Sequence, residues 1–404
     1  MEIKPFRGFT PEPKMADRVV CVPYDVVDRV ESAALAEGNP LSLLHVDRAE
    51  IDLPGEPNPY ADSVYAKAKE NFERLQAEGA LIREAAPCVY LYRLTMGSHQ
   101  QTGIVATVRA ADYENGLVKK HEKTRPDKED DRTRLIDTIG AQTGPILLAF
   151  RPTPALKRIT SQGITSPPDF DITAEDGIRH EVWRLRETHP VVQAFGEVPA
   201  VYIADGHHRA ASGWRVARAR RERGVAGIAH EGILGVLFPS DELQILAYNR
   251  LVRTLNGHTK RAFLDAVAQV VSVTPTAPKT PAAPRNVSMY LDGEWYGLSW
   301  DVPAGSDPVS SLDVSVLQDR ILAPLLGIAD PRRSPDIEFV GGIRGTAELE
   351  SKVDDGRAAV AFSMFPTTVD EVMAIADAGQ IMPPKSTWFE PKLRSGFFIH
   401  SLED

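Results

Sequence analysis

The order of apolar and polar residues predicts helices alternating with strands along the first half of the chain. Apolar residues recur at helical spacing between positions 60 and 81 and predict an amphipathic helix that ends near Gly79. The charged stretch 119–134 lacks apolar periodicity, so we do not expect a plain surface helix there. Apolar runs bounded by polar turns predict strands at 18–27, 88–94, 102–110, 145–150 and 198–204, and a strand pair at 233–238 and 243–246.

A proline-rich stretch, residues 273–287, precedes the last third of the chain. Prolines at every third position there favour an extended, poorly paired segment. Beyond it, Asp292-Gly293 between aromatic flanks predicts a hairpin. Helices are expected at 312–326, 346–355 and 368–378, with a strand at 358–362.

These patterns together predict a mixed α/β (α+β) protein. We expect a main α/β domain at 1–272, a linker or insertion at 273–287, and a C-terminal α/β region at 288–404 that packs back on the functional site.

The composition is that of an ordinary globular protein. Of 404 residues, 43% are hydrophobic and 25% are charged, and the formal net charge of −10 argues against a general nucleic-acid or membrane-surface binder. No run approaches the roughly 20 apolar residues of a membrane-spanning helix, and the N-terminus lacks the apolar core of a signal peptide. We therefore expect a cytoplasmic protein that acts on a small molecule, and we leave open whether it is a homodimer.

The two cysteines, Cys21 and Cys88, lie in apolar runs. Buried cysteines in such a setting behave as small hydrophobic residues, so we expect reduced thiols and neither a disulfide nor a thiolate zinc site.

The turn Ala204-Asp205-Gly206-His207-His208-Arg209 carries the most informative chemistry. It follows an apolar strand and opens a helix, whose first N–H groups have no internal partner and attract anions. Two imidazoles and a guanidinium add donors for phosphate oxygens. Asp205 as a helix cap with packed histidines is the competing interpretation. Metal binding is less favoured, because adjacent helical residues point about 100° apart.

The charged stretch holds a second candidate group of site residues. We expect phosphate to be bound there by Lys123, Thr124, Lys128 and Arg132, and His121 or Glu122 to act as general base. A solvated face is the alternative for such a charge run. Near the C-terminus, two prolines precede Lys385 and Ser386, although the glycines of a P-loop are absent. That segment either places Lys385 and Ser386 at a functional site or is a rigid connection with a purely structural role.

Taken together, the motifs resemble those of a bacterial and archaeal family known as domain of unknown function 1015. The resemblance spans nearly the whole chain. Its motifs are Pro23-Tyr24-Asp25, Asn39-Pro40-x-Ser42-x-x-His45, His121-Glu122-Lys123-Thr124, Lys128-Glu129-x-Asp131-Arg132, Ala204-Asp205-Gly206-His207-His208-Arg209, Phe238-Pro239-Ser240-Asp241 with Leu246-x-Tyr248-Asn249-Arg250, and Met382-Pro383-Pro384-Lys385-Ser386-Thr387.

The Asp-Gly-His-His-Arg turn is also similar to the phosphate-binding turn of the ParB/sulfiredoxin superfamily, which includes free-serine kinases. The resemblance implies a ParB/sulfiredoxin-like core with additional N-terminal and C-terminal α/β regions, a nucleotide (ATP or ADP), and Mg²⁺. It implies that Gly206, His207, His208 and Arg209 bind phosphate. We further expect Asp25, Ser42 and His45 to contact the substrate.

Three functions remain open from the sequence. The first is a phosphotransferase acting on a small hydroxylated metabolite such as serine, in which Glu122 or Asp205 is the base. The second is a phosphoserine phosphatase that uses the same phosphate site to activate water. The third is a nucleotide-binding regulatory protein without turnover.

Overall fold

A computed structural model describes residues 1–303 and 305–403. The chain divides into two compact units, one formed by residues 1–243 together with the C-terminal segment from Pro391, the other by Gln244–Glu390. This division differs from the domain limits expected from the sequence, since the proline-rich stretch lies inside the second unit.

The first unit contains strands and helices in alternation, as the apolar pattern indicated. Its helices are α1 (Ala16–Val19), α2 (Arg29–Ala36), α3 (Leu44–Asp47), α4 (Asp62–Ala77), α5 (Ala110–Glu114), α6 (Pro126–Ile139), α7 (Pro154–Gly163), α8 (His189–Phe195) and α9 (His207–Glu222). Its strands are β1 (Ile3–Lys4), β2 (Phe9–Pro11), β3 (Leu81–Arg83), β4 (Val89–Met96), β5 (His99–Arg109), β6 (Val118–Lys119), β7 (Ala141–Gln142), β8 (Ile146–Phe150), β9 (Phe170–Thr173), β10 (Arg179–Leu185), β11 (Val201–Asp205) and β12 (Gly232–Pro239).

A mixed nine-stranded sheet forms the centre of this unit. Its strand order is β6-β11-β8-β12-β5-β4-β10-β9, and β1 pairs with β5. Only β6 with β11 and β12 with β8 are parallel among these pairs. Because β11 runs antiparallel to β8, the carboxyl end of β11 lies beside the amino end of β8. The expected α/β class is confirmed by this architecture.

The packing of α9 explains how the central turn is held. Buried Ala210, Ala211 and Ala217 line the face of α9 that joins the main core, while Val216 packs with Ile136 and Leu402. Small residues let the helix approach the sheet closely, and a Cβ at Gly213 would lie 3.3 Å from Ile233. The turn that begins α9 is therefore fixed between packed apolar residues on both sides.

Two expectations for the first unit are wrong. Much of the charged stretch is the helix α6, which begins with Pro126 at its first turn and ends at Gly140 in the left-handed conformation. Its apolar face is short because the buried pair Asp131–Arg132 replaces apolar residues there. The apolar run 18–27 is not a strand: α1 ends at Val19, and Tyr24–Val26 form a 3-10 turn.

The N-terminal helices surround a core of their own. Val64, Phe72 and Leu75 of α4 pack with Leu44 and Val46 of α3. This confirms the amphipathic helix expected between residues 60 and 81. Both cysteines are buried free thiols, as expected.

The second unit contains α10 (Lys260–Ala268), α11 (Asp313–Leu317), α12 (Ala347–Asp354) and α13 (Val369–Asp377). Its strands are β13 (Gln244–Leu246), β14 (Tyr248–Val252), β15 (Ser272–Pro275), β16 (Asn286–Leu291), β17 (Glu294–Ser299), β18 (Ile337–Gly341), β19 (Val360–Met364) and β20 (Trp388–Glu390). Six of them form a sheet in the order β15-β17-β16-β19-β14-β18. The chain then returns to the first unit, where β21 (His400–Ser401) pairs with β7.

The hairpin expected at Asp292-Gly293 is present between β16 and β17, and both turn residues have positive φ. The strand pair expected across residues 239–241 is wrong, since β12 belongs to the large sheet and β13 pairs with β20. In the part of the chain that the structure describes, no helix is both long and apolar enough to span a bilayer.

Candidate functional site

Gly206 makes the sharp turn that separates β11 from α9. Its φ of 92° and ψ of 34° lie in the left-handed region, which glycine adopts without strain. A Cβ at this position would lie 3.1 Å from the Arg209 guanidinium carbon and 3.2 Å from Ile146. A bulge in β11 between Ile203 and Asp205 precedes the turn and redirects the Asp205 side chain.

The first turn of α9 presents backbone donors. Ala210 N–H makes the first intrahelical hydrogen bond, to the Gly206 carbonyl at 2.9 Å. The amides of His207, His208 and Arg209 precede that bond and donate to no acceptor within residues 1–303 and 305–403. Such amides, at the positive end of a 16-residue helix, form a favourable environment for an anion.

The parallel pairing of β6 with β11 brings His121 and Glu122 to this turn. Val118 and Lys119 pair with Val201 and Tyr202, so the next residues of both strands leave the sheet in the same direction. His207 Nδ1 lies 3.7 Å from Glu122 Oε2, and the rings of His121 and His207 meet edge to face at 4.5 Å. The side chain of Glu122 is 55% exposed, whereas both imidazoles are buried.

Both buried imidazoles are neutral near pH 7. Burial lowers the pKa of His121 to about 4. Burial, together with His121, holds the pKa of His207 well below its ordinary value. The His121 backbone N–H points at His207 Nε2 across 3.5 Å, so the His207 proton is assigned to Nδ1, on the Glu122 side.

His208 connects the helix start to the loop before α6. Its Nε2 accepts a hydrogen bond from the Arg125 backbone N–H at 3.0 Å. Burial lowers the pKa of His208, which keeps this nitrogen available as an acceptor. We therefore assign His208 a positioning role for the loop that carries Glu122.

Arg209 is buried and contacts three groups of the protein, whereas a side chain that binds phosphate directly would be open to solvent. Its Nη1 donates to the Pro145 carbonyl at 2.5 Å. Its Nη2 lies 3.4 Å from Asp25 Oδ2 and 3.6 Å from Asp205 Oδ2. Arg209 thus orients two carboxylates at the edge of the site.

Lys392 is a site residue that the sequence did not identify. Its Nζ lies 3.4 Å from Asp205 Oδ2. Burial alone would raise the pKa of Asp205, but Lys392 and Arg209 outweigh it and keep that pKa below its ordinary value. Lys392 occurs in the segment Glu390-Pro391-Lys392, directly after the motif that contains Lys385, and this proximity was the one available signal.

Asp47 is buried and is held by two neighbouring side chains. Thr143 Oγ1 donates to its carboxylate, and Arg132 Nη1 donates to its carbonyl at 3.0 Å. Arg132 also pairs with Asp131 at 2.8 Å and lies over the Tyr24 ring, 4.1 Å from its centre. Arg132 is therefore committed to internal contacts that hold the Tyr24 turn and, with it, Asp25.

Four further residues that the sequence predicted for the site, Lys123, Thr124, Lys128 and His45, also lie in the first unit. Lys123 is exposed on the loop after Glu122, and Thr124 donates to Glu129. Lys128 Nζ donates to the Tyr60 hydroxyl at 3.2 Å. Both ring nitrogens of His45 are used, by Asp52 at 2.7 Å and the Asn39 carbonyl at 3.1 Å.

Ser42 precedes α3, its carbonyl accepts a hydrogen bond from the His45 backbone N–H at 3.1 Å, and it lines a separate pocket. Lys385 and Ser386 belong to the second unit. Lys385 has a φ of 56° and its Nζ lies 5.4 Å from the centre of the Tyr248 ring. Ser386 is buried and donates to the Pro383 carbonyl at 2.7 Å. Their role in phosphate binding stays a prediction.

A dedicated metal centre does not fit the side chains present. Among residues 1–303 and 305–403, no group of three or more His, Cys, Asp or Glu side chains could hold a metal ion. Asp205 is neutralised by Lys392 and Arg209. Mg²⁺ is commonly bound through one or two carboxylates together with the phosphates of a substrate.

The fold and site define a mixed α/β protein in which charged side chains and free amides converge at a helix start. The family model described as "Protein of unknown function (DUF1015)" matches residues 3–315. The chain belongs to this family, as the sequence motifs indicated. A comparison with curated proteins gives no match.

Several solved structures are similar over about three quarters of the chain. A free serine kinase in complex with AMP is 14% identical, covers 73% of this chain and 91% of its own, and has a TM-score of 0.36. SbnI with a C-terminal truncation, from Staphylococcus aureus, is 13% identical with coverages of 74% and 89% and a TM-score of 0.37. A conserved hypothetical protein from Pyrococcus furiosus is 14% identical with coverages of 74% and 96% and a TM-score of 0.37. Similarity at this level carries no argument about activity.

Proposed function

We propose that this protein transfers a phosphoryl group between a nucleotide, ATP or ADP, and a small hydroxylated metabolite. The observation that carries the proposal is the position of Glu122 beside the free amides of His207, His208 and Arg209. A carboxylate that is exposed next to an anion-binding helix start has the two elements that phosphoryl transfer needs: charge stabilisation and a proton acceptor.

In this proposal the helix start binds the transferred phosphoryl group. The three amides donate to its oxygens, and the Lys392 ammonium adds a positive charge close to them. Phosphoryl transfer depends chiefly on positioning and on stabilising charge at the equatorial oxygens, so no covalent step by the protein is required. Mg²⁺ bound to the nucleotide would neutralise part of its phosphate charge.

Glu122 is the better candidate for the base. Its side chain is 55% exposed and therefore accessible to a substrate hydroxyl, and His207 Nδ1 lies 3.7 Å from one of its oxygens. Asp205, by contrast, is paired with Lys392 and Arg209, which lower its pKa and make it a poor proton acceptor. Between the two carboxylates considered from the sequence, the contacts favour Glu122. In this proposal Asp205 orients Lys392.

Free serine is the first acceptor to test, because the family resemblance implies it. The experiment measures O-phosphoserine formed from L-serine with ATP and, separately, with ADP. A parallel sample measures phosphate released from O-phosphoserine without nucleotide. The proposal expects nucleotide-dependent formation of phosphoserine. Release of phosphate alone would replace it with a phosphatase, and nucleotide binding without either activity would indicate a regulatory protein.

A further inference from the structure

A second pocket lies in the first unit, lined by a different set of residues from the helix start. It measures about 470 Å³, within the range of small-molecule sites. None of Asp205, His207, Arg209 or Glu122 lines it. Its apolar wall comes from three separate segments, through Val20 and Val22 in the connection after α1, Leu44 of α3 and Ile172 of β9.

One guanidinium in this pocket is held by a buried polar network. Arg394 is 6% exposed, and its Nε donates to His180 Nε2 at 3.3 Å. His180 Nδ1 is 2.7 Å from the Tyr92 hydroxyl, so both imidazole nitrogens are used. Arg394 Nη2 pairs with Asp176. These contacts fix the plane of the guanidinium while consuming two of its three nitrogens.

The third nitrogen of Arg394 remains available to a ligand. Nη1 donates to no group in the described part of the chain, although the residue lines the pocket and is more than nine-tenths buried. Burial and Arg394 lower the pKa of His180 to about 3, so the imidazole adds no second charge. A carboxylate is the group that a fixed guanidinium nitrogen recognises best.

The opposite charge occurs at the rim. Asp17, Glu175 and Asp176 line the same pocket and are exposed, and Asp176 is the one already paired with Arg394. Ser42 is 3% exposed, and its Oγ accepts from the Leu44 amide at 3.3 Å, which leaves the hydroxyl proton free to donate. The pocket therefore combines one buried cation that is paired with Asp176, two further rim carboxylates and an aliphatic wall.

We infer that this pocket binds an α-amino acid with an aliphatic side chain. The α-carboxylate accepts from Arg394 Nη1, and the ammonium faces Asp17 and Glu175. The side chain contacts the wall formed by Val20, Val22, Leu44 and Ile172. Neither a simple anion nor a simple cation satisfies both charged ends, so the zwitterion is selected. The inference does not depend on the proposed phosphoryl transfer.

The test is calorimetry of the full-length protein without nucleotide, using L-leucine as probe. Two analogues each lack one charge: 4-methylpentanoate has no ammonium, and L-leucinamide has no carboxylate. L-leucine is expected to bind at least tenfold tighter than either analogue. Equal affinities for all three, or no heat from L-leucine at millimolar concentration, would overturn the inference.

Substitutions then test which residues of the pocket bind the carboxylate and the ammonium of the amino acid. Arg394→Gln is expected to weaken L-leucine at least tenfold and to leave L-leucinamide unchanged. Because Arg394 is buried and its loss could prevent folding, the double substitution Asp17→Asn/Glu175→Gln at exposed positions is the second variant. It should weaken L-leucine at least fivefold without weakening 4-methylpentanoate. Asp130→Asn, exposed on α6, is the control, and an equal loss there would also contradict the inference.

The outcome is separable from that of the proposed function. Binding of L-leucine is measured with no phosphate donor present, and phosphoserine formation is measured with no leucine. Binding of leucine without formation of phosphoserine would support the amino-acid pocket and contradict the proposed activity. Formation of phosphoserine without binding of leucine would support the activity and contradict the pocket.

Discussion

Lys392 Nζ lies 3.4 Å from Asp205 Oδ2, although 187 residues separate the two along the chain. The pair joins the carboxyl end of β11 to the segment that returns to the first unit after Pro391. Arg209, one helical turn after Asp205, approaches the same carboxylate oxygen at 3.6 Å. Two cations therefore keep Asp205 ionised beside the helix start, which separates its role from that of Glu122.

Lys392→Met is expected to reduce the acid sensitivity of the fold. Because the pKa of Asp205 is below its ordinary value in the folded protein, its ionised form adds stability above about pH 4, and that stability is lost as pH falls further. Removing Lys392 raises the pKa of Asp205 and therefore reduces the loss of stability at low pH. The free energy of unfolding in urea, measured from pH 5 to pH 2, checks this result. Lys69→Met, at an exposed position on α4, is the control and should keep the wild-type pH dependence.

Glu122→Gln is expected to lower the rate of phosphoryl transfer at least 100-fold and to leave nucleotide affinity within a factor of three. The amide keeps the size of the side chain but cannot accept the proton of the substrate hydroxyl. Steady-state rates and calorimetry with ADP measure the two effects. Glu114→Gln, exposed at the end of α5, should match the wild type in both. A variant at position 122 with unchanged rate would remove Glu122 as the base.

Arg209→Ala is expected to weaken ADP binding at least tenfold and to destabilise the fold by about 3 kcal/mol. The substitution leaves Asp25 and Asp205 without their shared cation and the Pro145 carbonyl without its donor. Calorimetry and urea unfolding measure the two losses. Arg218→Gln lies on the same helix in an exposed pair with Glu222, so it should leave stability close to that of the wild type. If ADP affinity is unchanged in the folded Arg209 variant, the arginine does not support the anion site.

His121→Asn is expected to flatten the dependence of stability on pH between 6.5 and 4. A histidine whose pKa falls to about 4 on folding stabilises the native state fully above pH 6.5, and this contribution disappears as pH falls towards 4. The difference corresponds to about 3 kcal/mol. Urea unfolding at pH 7.5, 6.0 and 4.5 measures it. Exposed His189, at the start of α8, provides the control substitution His189→Asn, whose curve should follow the wild type.

The turn at Gly206 was predictable because its determinants are local. An apolar strand, a glycine and an alanine-rich helix follow one another within about 25 residues, and each has a conformational preference that the structure follows. The same holds for the hairpin at Asp292-Gly293. Neither depends on contacts with distant segments.

Other features depend on contacts between distant residues and were not predictable. The helix α6 looked like an irregular charged loop because Asp131 and Arg132 are buried as an ion pair where apolar residues are usual. The partners of Arg209, which include Asp25 and the Pro145 carbonyl, come from separate segments. Lys392 reaches the site only through the return of the chain.

The central claim, that the start of α9 binds phosphate, is tested most directly by NMR of the backbone amides. In ¹⁵N-labelled protein titrated with ADP, the amide protons of His207, His208 and Arg209 should move downfield as they donate to phosphate oxygens, with one common dissociation constant. The same three signals should stay still in the presence of adenosine, which has no phosphate. Saturation by ADP with no movement of these three amides would contradict the account.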